Sequence, residues 1–355
     1  MSSTRLVVNF SWGARRLSAH PDAAAWRSRA ADCLAFLRAA HRSSLVPGGW
    51  AWEVDVAAPP PPPAAGFLYA PKDAANRAYG LAFVLLAHAA GAAAGLQGAA
   101  EGCDEAWDAL TARFWLPEHS LYADQADAAY ATILPYRGQN ANMHAVEAHM
   151  AAWDATAQPR HLRRARAIAE AMCVRQAGRV GAACGHSLVY EHYDAAWEAD
   201  LEFNKDKPGD RFLPYGFQPG HLMEWAKLLM QLHERKEAVP GAPETEAEWG
   251  WRPRVAAEFF DAALKGWDEE NGGLVYSLAP TAALPFLNAD KYKWPTVEGI
   301  AAAALLAKHS GRGEREGYYL TWCARACVCC VPAAGLPIAL FFFIPHSPSP
   351  TLQVQ

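Results

Sequence analysis

The sequence predicts an all-α protein, a stack of helical hairpins whose natural closure is an α/α barrel. Three observations predict it. Alanine-rich stretches with apolar residues three and four apart recur along most of the 355 residues, which is the period of amphipathic helices. Convincing strand alternation is scarce, and residues 49–56 are the best short case. Short and long links alternate between the helices; short links pair neighbours, and long ones gather at one end and commonly carry function.

In chain order the candidate helices are 4–17, 22–41, 73–94, 101–114, 139–156, 160–176, 219–237, 244–266 and 295–309. His20–Pro21 separates the first two, and the second shows its core stripe in Trp26, Ala30, Cys33, Leu34 and Leu37. Ala157, Gln158 and Pro159 separate the fifth and sixth, and Pro219 suits the first turn of the seventh. The long links are 42–72, 115–138, 178–218 and 267–294, and the proline run at 59–63 reads as a stiff, solvated insert in the first. About nine of the twelve helices of a six-hairpin barrel are thus visible, in one domain over 1–309. From Ser310 the helical period is expected to stop. The Cys-rich, apolar and Ser-Pro stretch 310–355 reads as disordered and foreign to the barrel, as intron read-through or an altered frame would be.

Composition bounds the function. The chain is 52% hydrophobic and 19% charged, which excludes wholesale disorder. Its net charge is −5 without a run of Lys or Arg, so nucleic acid is not an expected partner. Fourteen Trp either fill cores or line a cleft with flat rings suited to the C–H faces of sugars. Cys33, Cys103, Cys173 and Cys184 lack pairing rhythm, which suits a reducing compartment. The cluster Cys323, Cys327, Cys329 and Cys330 lacks further ligands at zinc-site spacing, so no metal is expected. The N-terminus shows no secretory pattern, and the apolar run 331–344, broken by Pro332 and Pro337, is short of the roughly 20 residues of a membrane-spanning helix. A cytoplasmic protein away from membranes is the expectation.

Three segments could carry chemistry. In Arg137–Thr156, His144 and Glu147 stand three apart on one helix face, with Asn140 and Asn142 in the first turn. A capped amphipathic helix with a satisfied surface histidine reads equally from this pattern. In Arg211–Leu229, His221 stands near a helix start, with Glu224 and Trp225 following at i+3 and i+4. The positive end of the helix dipole favours neutral imidazole there, the form a general base needs; a histidine bonding a nearby loop is the alternative. In Lys291–Leu306, Trp294 and Glu298 lie one turn apart at a third helix start. A di-metal site would use the opposite order, Glu-x-x-His. A glycosidase would need two opposed carboxyl groups, for which Glu147, Glu224, Glu298 and Asp200 are candidates.

Read together, RGQNANMHAVEA, EHYDAAWEADLEFNKDKPGDRF, PGHLMEW and KWPTVEG, in this order, resemble the signatures of the N-acylglucosamine 2-epimerase family over roughly residues 4–309. The nearest subgroup is the aldose–ketose isomerases acting on mannose and sulfoquinovose. The resemblance implies an (α/α)6 barrel with its pocket at the long-loop end and no metal or redox cofactor. The implied chemistry is proton transfer between C1 and C2 of an open-chain sugar through an enediol(ate), shared by two histidines. It implies His221 as acid–base residue, Glu224 orienting the imidazole or binding hydroxyls, and His144 and Asn140 at the substrate. Tyr79 of NRAYGLAF matches a pocket aromatic, Trp294 a sugar-stacking tryptophan with Glu298 beside it, and Arg5 a pocket arginine able to stabilise enediolate charge. The family's first helix and final hairpin, the latter with the second catalytic histidine, have no counterpart in this reading; His346 lacks the matching context. Turnover is expected to suffer accordingly. The expected partner is a monosaccharide, with a second copy of the chain left open. The rival readings are an N-acyl-D-glucosamine 2-epimerase, a six-hairpin glycosidase, and a non-catalytic sugar- or protein-binding scaffold.

Overall fold

A computed structural model describes residues 2–44, 46–58, 66, 68–236, 238 and 245–330. The proline insert at 59–63 and the expectations placed on residues 331–355 lie outside these. The chain folds as two compact units. The first carries α1 (Ser2–Arg16), α2 (Ala23–His41), α3 (Ala78–Ala93), α4 (Ala99–Arg113), α5 (Gln139–Thr156), α6 (Pro159–Glu170) and α7 (Ala177–Cys184). The second carries α8 (Pro219–His233), α9 (Glu246–Trp249), α10 (Trp251–Ala263), α11 (Lys293–His309) and α12 (Glu314–Cys330).

In the first unit α1 packs on α2, α3 on α4 and α5 on α6, while α1, α3 and α5 pack on one another in sequence. Burial explains this layering. Every residue from Leu81 to Gly91 of α3 is buried, and α5 is buried around nearly its whole circumference, its polar Gln139, Asn142, His144 and His149 included. By contrast α6 is amphipathic and buries only one stripe, His161, Leu162, Ala165, Ile168 and Ala169. The close approach of α4 to α3 needs glycine at 102: a Cβ there would stand 2.2 Å from the His88 ring. In the second unit α8 packs on α10 and α11, and α11 on α12.

Short antiparallel strand pairs tie the long links of the first unit together. Asn76–Arg77 pairs with Gln125–Ala126, Trp115–Leu116 with Leu121–Tyr122, and Arg137–Gly138 with His192–Tyr193. The strand expected within 49–56 is Glu53–Asp55, paired with Ala70–Asp73. Two of these strands, Asn76–Arg77 and Arg137–Gly138, run directly into the first residues of α3 and α5.

Two elements depart from the sequence reading. The sixth helix does not stop at Gln176; a π-helical segment, Ala171–Gln176, joins α6 to α7, so the following link begins only after Cys184. The helical period also continues past Ser310 as α12, where Tyr319 meets Phe260 at 5.4 Å and Trp322 meets Trp267 at 5.2 Å between ring centroids. Among the described residues no helix is long and apolar enough to cross a membrane.

Candidate active site

The first unit brings Tyr79, His144 and Arg5 to one aromatic cluster. Tyr79 opens α3 and Phe83 follows one turn on; the His144 ring lies edge-on to Tyr79 at 5.2 Å and 4.7 Å from Phe83. The Arg5 guanidinium stands over the Phe83 ring at 4.6 Å, a cation–π contact that leaves its polar edge exposed. His144 Nδ1 is 3.1 Å from Glu147 Oε2, the i,i+3 partner that the spacing predicts. Asn140 is one turn before His144 on the same face, and its Oδ1 is buried with no hydrogen-bond partner among the described residues.

The α5 N-terminus that presents Asn140 and His144 is held by the EHYD stretch. Gln139 donates Nε2–H to Glu191 Oε2 at 3.0 Å, and its backbone N–H to the Glu191 carbonyl. His192 is stacked on Phe203, donates Nε2–H to the Pro214 carbonyl, and accepts the Tyr136 hydroxyl at Nδ1, each polar contact at 2.8 Å. Burial pushes the Tyr136 phenol up, so it stays a donor. At the same junction burial pushes the Asp124 carboxyl up to about 6, against the pull of the Gly138 N–H, Arg77 and Arg137. None of these anchors carries a local sequence signal; only the alternation of Arg137–Gly138 and His192–Tyr193 as paired strands brings them together.

The second unit brings His221, Glu224, Trp294 and Glu298 together. Pro219 occupies the first turn of α8, where its missing N–H costs nothing. His221 follows at 9% exposure and its ring lies on Trp294 at 5.2 Å between centroids. Gly220 permits this: a Cβ at 220 would stand 2.5 Å from the Trp294 ring and 2.9 Å from Pro295 Cβ. Glu224, one turn on, is 5% exposed. Lys227, which sequence reasoning missed, reaches Glu298 Oε2 at 2.5 Å and Glu224 Oε1 at 3.7 Å. Its signal was a lysine on the same face as His221 and Glu224 within an otherwise apolar helix, which has to meet a carboxylate if the helix is buried. The candidate Asp200 is exposed in its loop, its Oδ1 accepting the Glu202 N–H.

The N-acylglucosamine 2-epimerase (GlcNAc 2-epimerase) family model matches residues 1–331, so the match reaches through α12. The D-mannose isomerase of Marinomonas mediterranea is 37% identical over 320 residues, which cover 90% of this chain and 72% of that protein. The D-mannose isomerase of Thermobifida fusca is 36% identical over 252 residues, 70% of this chain and 58% of its own length. A crystal structure of D-mannose isomerase superposes with a TM-score of 0.77 at 36% identity, covering 92% of this chain and 73% of the other. Cellobiose 2-epimerase from Spirochaeta thermophila, at 18% identity and a TM-score of 0.68, shares the fold. A family 76 glycoside hydrolase shares it at 14% and 0.56. The fold class is therefore the all-α six-hairpin one that the helix and link pattern predicts. The chain belongs to the N-acylglucosamine 2-epimerase family of sugar isomerases and epimerases.

Proposed function

We propose that the chain is an aldose–ketose isomerase of the D-mannose type, with His221 as its acid–base residue. The observation that carries this reading is the construction at the start of α8. An imidazole is nearly buried on an indole face, with a carboxylate one turn on and a second carboxylate held by Lys227. Such a site offers a flat apolar wall for sugar C–H groups and a base beside it. His221 would take the proton from C2 of the open-chain aldose while O1 gains a proton, giving the enediol. Protonation at C1 with loss of the O2 proton then gives the ketose. By family resemblance Glu224 orients the imidazole or binds hydroxyls, and Trp294 and Glu298 hold the sugar. The same resemblance assigns Arg5, Tyr79, Asn140 and His144 to substrate contacts, the arginine to developing enediolate charge. The likeness to D-mannose isomerases at 36–37% identity supports isomerisation ahead of N-acylhexosamine epimerisation.

The test is proton NMR in D2O with mannose, N-acetylmannosamine and sulfoquinovose, run beside His221→Asn. Loss of the C2 proton of mannose with growth of fructose, slowed at least about 100-fold in the variant, is expected. Exchange with N-acetylmannosamine alone would select the 2-epimerase reading. No exchange with any of the three would refute the isomerase reading for this chain.

A further inference from the structure

Lys227 is placed where a lysine is costly. It sits in α8, whose residues from Pro219 to Ala226 are all buried, and its own side chain is 13% exposed. A buried ammonium persists when paired, and pairs of this kind serve geometry better than net stability. His221, Glu224 and Lys227 descend one face of α8 at three-residue steps, while Trp294 and Glu298 stand four apart on α11. The two rows are joined twice: at one end by the His221–Trp294 ring contact, at the other by Lys227 bridging Glu298 and Glu224. One cation between two carboxylates orients both acids and offsets their mutual repulsion.

We propose that Lys227 is a positioning residue for the isomerisation: it locks α11 to α8 and so fixes Glu224, Glu298 and Trp294 about His221. It touches no reacting atom in this role. The inference rests on the proposed acid–base function of His221, and wild-type turnover tests that function before any lysine variant is made.

The experiment compares Lys227→Met, Lys227→Arg and the double variant K227M/E298Q in the full chain, with steady-state kinetics on mannose. Alongside, a 1H–15N spectrum follows the Trp294 indole N–H, assigned through Trp294→Phe. K227M is expected to lower kcat about 10- to 100-fold with KM changed less than about threefold, and to move the indole resonance. K227R, which keeps the charge, restores kcat to within about tenfold of wild type. In urea unfolding K227M/E298Q is no less stable than K227M, since the two changes remove one interaction. Should K227M fail to fold, K227R and the double variant, which leaves one buried carboxylate fewer, carry the comparison. A K227M kcat within about threefold of wild type overturns the proposal. So does a loss that K227R does not rescue while the indole resonance stays in place. The indole readout needs no turnover, so an inactive wild type would sink the isomerase reading and still leave the positioning role measurable.

Discussion

Gly220→Ala puts a methyl group where the structure has a ring. The added Cβ would lie 2.5 and 2.6 Å from two Trp294 carbons and 2.9 Å from Pro295 Cβ, where ordinary contact begins at 3.4 Å. Relief requires the indole, the first turn of α11 or the first turn of α8 to retreat by 3.4 − 2.5 = 0.9 Å. The retreat of the indole is limited by the His221 ring, which lies 5.2 Å from it between centroids. Overpacking of this kind costs about 1–3 kcal/mol, and the better helix propensity of alanine returns up to about 1 kcal/mol. Net destabilisation of about 0–3 kcal/mol follows, small enough for the variant to fold. A displacement of about 1 Å between base and sugar-stacking ring should cost kcat/KM about 100-fold. Gly178→Ala is the control: nothing lies within 4 Å of its Cβ at an exposed position of α7, so it should stabilise by about 0.5–1 kcal/mol and leave activity alone. The measurements are mannose-to-fructose initial rates and urea unfolding of both variants. If Gly220→Ala kept kcat/KM within about threefold of wild type, the seating of Trp294 on His221 would be irrelevant to rate, and the reasoning would fail.

Two further outcomes are expected. Asn140→Ala should raise the KM for mannose about tenfold, since a buried acceptor without a protein partner is available to a sugar hydroxyl, while unfolding in urea stays unchanged; an unaltered KM would remove Asn140 from the sugar site. Burial works to raise the Glu234 carboxyl, but hydrogen bonds from His309 and Lys308, at 3.1 and 2.6 Å, outweigh it and bring it down to about 2. Because the folded value lies below the unfolded one, this contribution to stability is complete above about pH 5 and is lost as pH falls toward 2. Glu234→Gln should therefore flatten the acid side of the stability–pH curve by about 1–3 kcal/mol, measured by urea unfolding from pH 7 to 3; a parallel curve would contradict it.

Much of this was legible locally. The bounds of α5 agree with the spacing at both ends, and Pro159 and Pro219 start α6 and α8 as helix-opening prolines do. His144 finds Glu147, and His221, Glu224, Trp294 and Glu298 share one unit, because i,i+3 and i,i+4 spacing is all that helix geometry needs. What failed had a physical reason. The pattern of α12 was present in Tyr319, Trp322 and Ala326 at three- and four-residue steps, but the cysteine cluster and the apolar and Ser-Pro stretch after it obscured it. Lysines on helices ordinarily face water, so only knowing that α8 is buried turns Lys227 into a partner for two acids. The Gln139–Glu191 and Tyr136–His192 anchors join residues more than 50 positions apart, beyond the reach of any periodic signal.

The π-helical turn between α6 and α7 bears on how this lineage can change length. Loops absorb insertions, but here the additional residue of a widened turn lies within a continuous helical rod from Pro159 to Cys184. It sets the angular phase at which Ala177 and Val180 reach the interior. Deleting that one residue would restore regular α-helical bonding and leave both side chains on the buried face, because the widened turn already absorbs the extra residue; the same deletion in a regular turn would rotate everything downstream by about 100°. A gap at this position in a relative would thus leave the apolar pattern through residue 184 unchanged, whereas a gap in the regular turns on either side would have to be accompanied by a new one.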